Sequence, residues 1–193
     1  MNKLIFVTGN QRKIDNVKPI FDKYGIDFMA VAVDIHEIQH HDPMEITKAK
    51  VIAAYDIIKK PVLVNDTSWS IPALNGFPGG YMKDVNHWFT AEDWLNIMKN
   101  KTDRTIIAQE KTAFYDGQSL KLFEEDVSGF FLDQPRGKCD TKLELVVSLY
   151  DGISIAEHYE MEKKHGRQLF HREHWVEFAK WYLSQTEPQG KHV

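Results

Sequence analysis

The chain has one cysteine, Cys139, in 193 residues. An internal disulfide framework is therefore excluded, and a lone thiol fits a reducing compartment. Long apolar runs are missing too. No window approaches the ~20 apolar residues that cross a bilayer, and the apolar stretch in "MNKLIFVTGN" is too short for a signal peptide and has no small-residue cleavage pattern. Charge of one sign is not in excess: 24 basic and 28 acidic residues give a net −4. No global field draws such a protein to nucleic acid or an anionic membrane, so any anion site has to be local. Internal repeats, low-complexity tracts and interdomain linkers are absent as well. What remains is the expectation of a cytoplasmic protein, one domain over residues 1–193 with a loose tail from about 186.

Hydrophobic residues make up 42% of the chain, enough for a substantial core. "KLIFVTG" reads as a buried strand ending at Gly9, and "NQRKIDNVKPIFDKYG" as a helix with Ile14, Val17, Ile20 and Phe21 at helical spacing, stopping at Gly25. Pro19 lies too deep for a first turn and predicts a kink or a distorted start. "DFMAVAVDI" is a second strand, residues 44–59 a second helix and "PVLVND" a third strand; this alternation predicts an α/β fold. "LNGFPGGY" is a loop. "TAEDWLNIMKN" is a short helix capped by Thr90, with Asp93 three places on. "TIIAQEKTAFY" and "LKLFEEDVSGFFL" form a hairpin about "DGQS", and "HREHWVEFAKWYLSQ" closes the chain as a helix.

The stretch "DIHEIQHHD" holds His36-Glu37-x-x-His40, the spacing of zinc metalloproteases, in which two histidines on one helical face hold the metal. Here it follows a strand-like run and meets Pro43, which leaves little room for that helix, and no third ligand follows at the required spacing. A solvated polar loop is the expected role of the two histidines.

Phosphate chemistry has stronger support. "VTGNQRK" places Thr8, Gly9, Asn10, Gln11, Arg12 and Lys13 at a strand-to-helix junction. Gly9 there permits a tight turn, and free N–H groups, the positive end of the helix dipole and Lys13 favour an anion. "VLVNDTSW" ends a strand with Asp66-Thr67, and a carboxylate in that position suits Mg²⁺, a hard cation that keeps water and substrate phosphate in its shell. N-capping beside a surface lysine, and a plain turn aspartate, are the alternatives for these two features.

Taken in order and spacing, "FVTGNQRK", "VLVNDTSWSIPALNGFPGGYMK" and "FHRE" resemble the inosine triphosphate/xanthosine triphosphate pyrophosphatase family, from Phe6 to about Tyr182. The resemblance implies two α/β lobes on a long twisted mixed sheet flanked by helices, with an active-site cleft between them, and a homodimer. It also implies Mg²⁺-dependent attack of water between the α and β phosphates of a nucleoside triphosphate, giving a monophosphate and pyrophosphate. By position, Thr8, Asn10 and Lys13 would cradle phosphates, and Lys50 and Lys83 would face the triphosphate. Glu37 and Asp66 would hold the metal, Asp66 also helping to deprotonate the attacking water. Thr67 would touch substrate, and His171 and Arg172 would sit at the base end of the cleft.

Three departures mark the chain. Asn16 and Asn65 stand where the family has acids, which removes two negative charges from the expected metal site. Following "PRG", the family's aromatic-Gly-aromatic-Asp-Pro segment, which stacks on the purine, is replaced by Thr141, Lys142, Leu143, Glu144 and Leu145. A lysine expected shortly before the His-Arg pair gives way to Gly166. The phosphate end is thus expected to persist while base recognition is rebuilt or lost. A nucleotide-binding protein with weak or no activity, and a hydrolase acting on another phosphate ester, remain the alternatives. Trp69 and Trp88 could each stack on a base, with core or lobe packing the expected role.

Overall fold

The computed structural model describes residues 3–165 and 172–186. β1 (Leu4–Val7) runs parallel to β2 (Phe28–Val31) on one side and to β3 (Val62–Ile71) on the other. Antiparallel neighbours then extend the sheet: β5 (Thr105–Tyr115) beside β3, β6 (Leu120–Phe131) beside β5, and the two-residue β7 (Val147–Ser148) at the edge. β4 (Phe77–Gly79) pairs with the far end of β3. The result is a seven-stranded mixed sheet of order β2-β1-β3-β5-β6-β7.

β1 has both faces covered, and the strand alternation decides which core each residue joins. Leu4 and Phe6 pack with Val17, Phe21, Trp175 and Phe178, beneath α1 (Gln11–Tyr24) and α6 (Glu173–Thr186). Ile5 and Val7 pack on the other face with Val51 and Ala54 of α2 (Pro43–Ile58). A third cluster gathers where β3, β5 and β6 run on past α2, about Trp69, Ile71, Trp94, Ile106, Phe131 and Leu143. Each fully buried ring or branched chain contributes roughly 1.5–3 kcal/mol relative to exposure, so three clusters along one sheet hold its long strands rigid at mid-length.

The helix starts and stops follow their side chains. Asn10 caps α1 with its carboxamide oxygen, and Gly25 closes it in the left-handed conformation at φ 68°. Pro19 lies inside α1, which starts regularly at Gln11 and continues to Tyr24. Asp42 caps α2, with Pro43 at the first position, where its missing N–H costs nothing. Thr90 and Asp93 form a reciprocal capping box on α4 (Ala91–Met98).

Several boundaries differ from expectation. The second strand stops at Val31, and the chain from 32 to 42 is irregular. β3 does not end at Asp66 but continues to Ile71, because β5 pairs with it through Ser70. Within "LNGFPGGY" the chain forms β4, with a cis Phe77–Pro78 bond, and α3 (Met82–Trp88) follows. α5 (Ile155–His165) lies in a stretch to which the sequence pattern assigned no element. Phe131 is core at 2% exposure whereas Phe130 on the opposite face is 41% exposed. Among the described residues, no helix is long and apolar enough to cross a membrane.

Candidate functional site

Residues 8–10 turn the chain at the carboxyl end of a central parallel strand, where open α/β sheets collect ligands. Thr8 Oγ1 accepts the Asn10 N–H at 3.1 Å, and Asn10 Oδ1 accepts those of Arg12 and Lys13 at 2.9 and 3.4 Å. Two of the amides expected to be free for an anion are therefore engaged in a cap. The dipole end, the Thr8 hydroxyl proton and the Lys13 ammonium remain to attract one. Gly9 is not in a left-handed conformation, and an added Cβ would meet only Ala32 Cβ at 3.6 Å, so the turn does not depend on it.

The glycine that matters is Gly80. A Cβ there would collide with the carbonyl oxygen of His40 and lie 2.7 Å from Ile46 Cδ1. The Gly80 N–H donates to the His41 carbonyl at 3.4 Å, and Gly79 adopts φ 55°. The loop before α2 can thus lie against the segment entering α3, which brings Glu37 beside Lys83. The His36-Glu37-x-x-His40 motif is on no helix, and among the described residues no group of three or more His, Cys, Asp or Glu could hold a metal. The two histidines are incidental; their loop positions the glutamate.

At the middle of β3 these elements meet. Lys50 Nζ, reaching down from α2, lies 2.7 Å from Asp66 Oδ1 and 2.8 Å from Glu37 Oε1. Lys83 Nζ is 3.4 Å from Glu37 Oε2. Lys13 Nζ donates to the Asn65 carbonyl at 2.6 Å and lies 3.8 Å from Asp66 Oδ1. Burial disfavours the Lys50 charge, but Asp66 and Glu37 outweigh it and raise its pKa. Burial likewise opposes ionisation of Glu37, and Lys50 and Lys83 overcome it, so its pKa is lowered. For Lys13 burial prevails over the attraction of Asp66 and Glu110, and its pKa is lowered. Its side chain nevertheless keeps 20% of its surface at the wall of the cleft.

Thr8, Gly9, Asn10, Arg12, Lys13, Glu37, Lys50, Asp66, Thr67 and Lys83 all line one open cleft of about 650 Å³. Gln11 does not: its amide turns away to Asp15 at 2.8 Å. Sequence reasoning missed Ser68 and Asn86, which also line the cleft. Three buried atoms on this wall, Asp66 Oδ2, Ser68 Oγ and Asn86 Oδ1, have no hydrogen-bond partner among the described residues. Buried polar atoms in folded proteins are nearly always bonded, so a cluster of orphans marks where a ligand's atoms belong.

Behind the cleft, and sharing Arg12, Lys13, Asn65, Thr67 and Glu144 with it, lies a smaller chamber of about 100 Å³. Arg12 divides the two. Its guanidinium grips Glu144 with both terminal nitrogens, at 2.8 and 2.6 Å, and stacks over the Tyr159 ring at 4.3 Å. Burial opposes the Arg12 charge, but Glu144 and Tyr159 raise its pKa above the ordinary value. Leu143 and Glu144 are buried in a single 3-10 turn, Lys142–Leu145. No aromatic ring stands in that segment; the rings around the chamber are those of Trp69, Tyr150, Tyr159, Trp175 and His174. Trp69 is core at 5% exposure, as expected, and also chamber wall, whereas Trp88, for which packing was expected, is 70% exposed and lines neither cavity.

Arg172 also lines the chamber and donates to Asn16 Oδ1 at 2.6 Å. His171 and Gly166 lie outside the described residues. Asn16 therefore faces the chamber rather than the Glu37–Asp66 pair. Asn65 Nδ2 donates to Glu110 Oε2 and Thr112 Oγ1, each at 3.1 Å, so this amide also serves the inner wall. Glu110 accepts from Thr67 Oγ1 at 3.0 Å as well. Its place opposite Thr67 follows from the β3–β5 register, which residue types alone do not reveal.

Comparison with known proteins adds three findings. Residues 4–174 match the model of the Ham1 family. The chain is 28% identical over 190 residues to a dITP/XTP pyrophosphatase of Methanosarcina acetivorans, covering 96% of this chain and all of that one. It is 41% identical over 138 residues to inosine triphosphate pyrophosphatase 2 of Trypanosoma cruzi, covering 71% and 70%, and 31% identical over 191 residues to the inosine triphosphate pyrophosphatase of Aspergillus oryzae, covering 97% of each. Among solved structures, a HAM1 protein from Coxiella burnetii superposes with a TM-score of 0.75 at 18% identity, over 96% of this chain and all of that one.

Proposed function

We propose that this chain, which belongs to the Ham1 family and is a nucleoside-triphosphate pyrophosphatase, attacks its substrate with water at the α phosphorus and releases pyrophosphate with the help of Mg²⁺. The observation that carries the reading is the single ammonium of Lys50 within hydrogen-bond reach of both Glu37 and Asp66. Two carboxylates that share one nitrogen are close enough to share one cation. Asp66 Oδ2, buried without a partner among the described residues, fits the same assignment, since a hard cation seeks carboxylate oxygen. Glu37 and Asp66 would hold the ion, which supplies charge neutralisation on the phosphate oxygens.

The residues of this chain do the rest. Lys13, Lys50 and Lys83 offset the charge of the phosphate chain, and Lys50 leaves the carboxylate pair to do so. Thr8 and Asn10 donate hydroxyl and amide hydrogens at the start of α1, with Gly9 and Arg12 beside them. Asp66 accepts the proton of the attacking water, a Pα–O bond forms, and the bond from Pα to the bridging oxygen breaks. Such chemistry asks mainly for position and charge, which this cleft supplies. Asn16 and Asn65, having turned to the chamber, leave the ion two carboxylates, enough for a cation that fills its shell with water and phosphate.

The finer readings belong here too. The base preference differs from that expected of the purine-specific relatives, because Glu144, bound to Arg12, stands where a stacking segment is expected. Arg172 lies at the base end, and Thr67 borders both spaces. The long strands β3, β5 and β6 passing from one core cluster to the next support two lobes about the cleft. A homodimer and a cytoplasmic setting complete the reading; light scattering tests the first.

The test is pyrophosphate release from a panel of purine, pyrimidine and modified nucleoside triphosphates, with and without Mg²⁺. Mg²⁺-dependent release that collapses in Asp66→Asn is the expected result. Nucleotide binding without turnover across the panel would replace it with a non-catalytic nucleotide-binding role.

A further inference from the structure

The guanidinium of Arg12 is a flat group with a fork and two faces, and most of it is committed. Both terminal nitrogens close on Glu144, at 2.8 and 2.6 Å, and one face lies over the Tyr159 ring, 4.3 Å from its centroid. A bidentate bond fixes the plane as well as the position, which a lysine ammonium could not do. Yet the Arg12 side chain keeps 41% of its surface, against 6% for Glu144. With the fork and one face covered, the surface left open includes the opposite face. Tyr159, on α5, lines the chamber and not the cleft, while Arg12 lines both. The open face therefore turns to the cleft, at the mouth of the chamber.

Two observations point to what this face receives. Arg12 shares a turn with Asn10 and Lys13, and a nucleotide with phosphates at Lys13 and Lys50 and its base toward Arg172 passes over it. Glu144, which holds the plane, belongs to residues 141–145, the segment that stands where a stacking ring was expected. That segment has no ring, but it supplies the clamp on a flat cation. A guanidinium stacks on aromatic faces, and Tyr159 behind it adds a second layer.

Resting on the reading that the adjoining cleft holds a triphosphate, we propose that the cleft-side face of Arg12, held flat by Glu144 and backed by Tyr159, is the platform on which the nucleobase stacks. Arg12 is thereby a specificity-determining residue, and Glu144 a positioning residue that acts through it. A stack grows with ring area and is blind to the groups on the ring edge, because every base has a π face. The selection it adds runs by size, purine over pyrimidine, with little distinction among purines. The platform touches no reacting atom and leaves the phosphate chemistry alone.

The test is calorimetry on the full chain with Mg²⁺ and three ligands: the α,β-imido analogues of ITP and UTP, which resist cleavage at the reacting bond, and inorganic tripolyphosphate. The native chain should bind the ITP analogue most tightly. Arg12→Met combined with Glu144→Gln removes the pair without leaving a lone charge. It should weaken the ITP analogue by about tenfold or more, the UTP analogue by less, and tripolyphosphate by less than about twofold. Arg12→Lys keeps the cation without the plane and should lose the same advantage for ITP. A merely structural tie would lower the urea midpoint of these variants and leave the ratio of ITP-analogue to tripolyphosphate affinity unmoved, which overturns the proposal. An equal loss for tripolyphosphate would make Arg12 a phosphate contact and overturn it too. Absence of pyrophosphate release from ITP by the native chain would instead overturn the pyrophosphatase reading, and the Kd ratios would still decide this one.

Discussion

The cleft and the chamber adjoin, share seven lining residues, and are built on opposite plans. In the cleft three lysines and two carboxylates share partners: Lys50 pairs with both acids, Lys83 is 85% exposed, and three buried oxygens lack partners among the described residues. In the chamber the charges are locked. Arg12 forks onto Glu144, Thr67 and Asn65 hold Glu110, and Glu125 holds His174. A polyphosphate carries the same oxygens whatever its base, so a set of re-pairing charges can grip any of them. A base is read by fixed donors and acceptors, and reading therefore needs rigidity. On the proposed function the contrast separates what binds from what discriminates, and each variant below weighs mainly on one side.

Asp66→Asn removes the carboxylate on which the cleft turns, and pyrophosphate release should fall by about 10³-fold for every base alike. An effect that varied with the base would erase the division. Next in size is the alkaline limb of the pH profile. Because the Lys13 pKa is lowered, its charge is lost before the ordinary lysine value of 10.5 is reached, and kcat/KM should decline on that side of it. Lys13→Arg keeps its charge throughout that range, and the limb should move up in pH.

Arg12→Met acts on the chamber. It leaves Glu144, with a side chain only 6% exposed, without its partner. Because Arg12 itself is 41% exposed and screened by solvent, the expected loss is about 1–2 kcal/mol, read as a lower midpoint in urea. Discrimination between bases should change more than the maximal rate. Acid should weaken the cleft as well. The Glu37 pKa is lowered in the fold, so the stability it contributes is complete above the ordinary value of 4.5 and is lost as pH falls through the lowered one. Smallest of all is Lys83→Ala, about two- to fivefold in KM, since an exposed lysine is a weak partner in water.

The cleft was largely legible in the sequence and the chamber was not, for a physical reason. Thr8, Asn10 and Lys13 belong to one local turn, and Asp66 and Lys83 to short stretches with recognisable types and spacing. Glu110, Glu125 and His174 acquire meaning only when β5, β6 and α6 are placed beside β3, through pairings such as Thr67 with Glu110 that residue type does not announce. The core face of α1 was visible as periodicity at Val17, Ile20 and Phe21, but α2 buries Val51 and Ala54 and leaves Ile52 and Ile57 exposed, and the continuation of β3 to Ile71 depends on its partner β5. Asn16 and Asn65 could be read as losses of charge; that both turn to the inner wall, one meeting Arg172 and the other Glu110, required the fold. The turn at Gly9 does not require glycine, whereas Gly80, unremarked in its loop, has no room for a Cβ.

Calorimetry of inorganic tripolyphosphate, a ligand with no base at all, tests the central division most directly. The account predicts Mg²⁺-dependent binding that is lost when Glu37 and Asp66 are both changed to amides and is unchanged in His174→Phe. Binding indifferent to Mg²⁺, or weakened as much by the chamber variant as by the cleft variants, would contradict it.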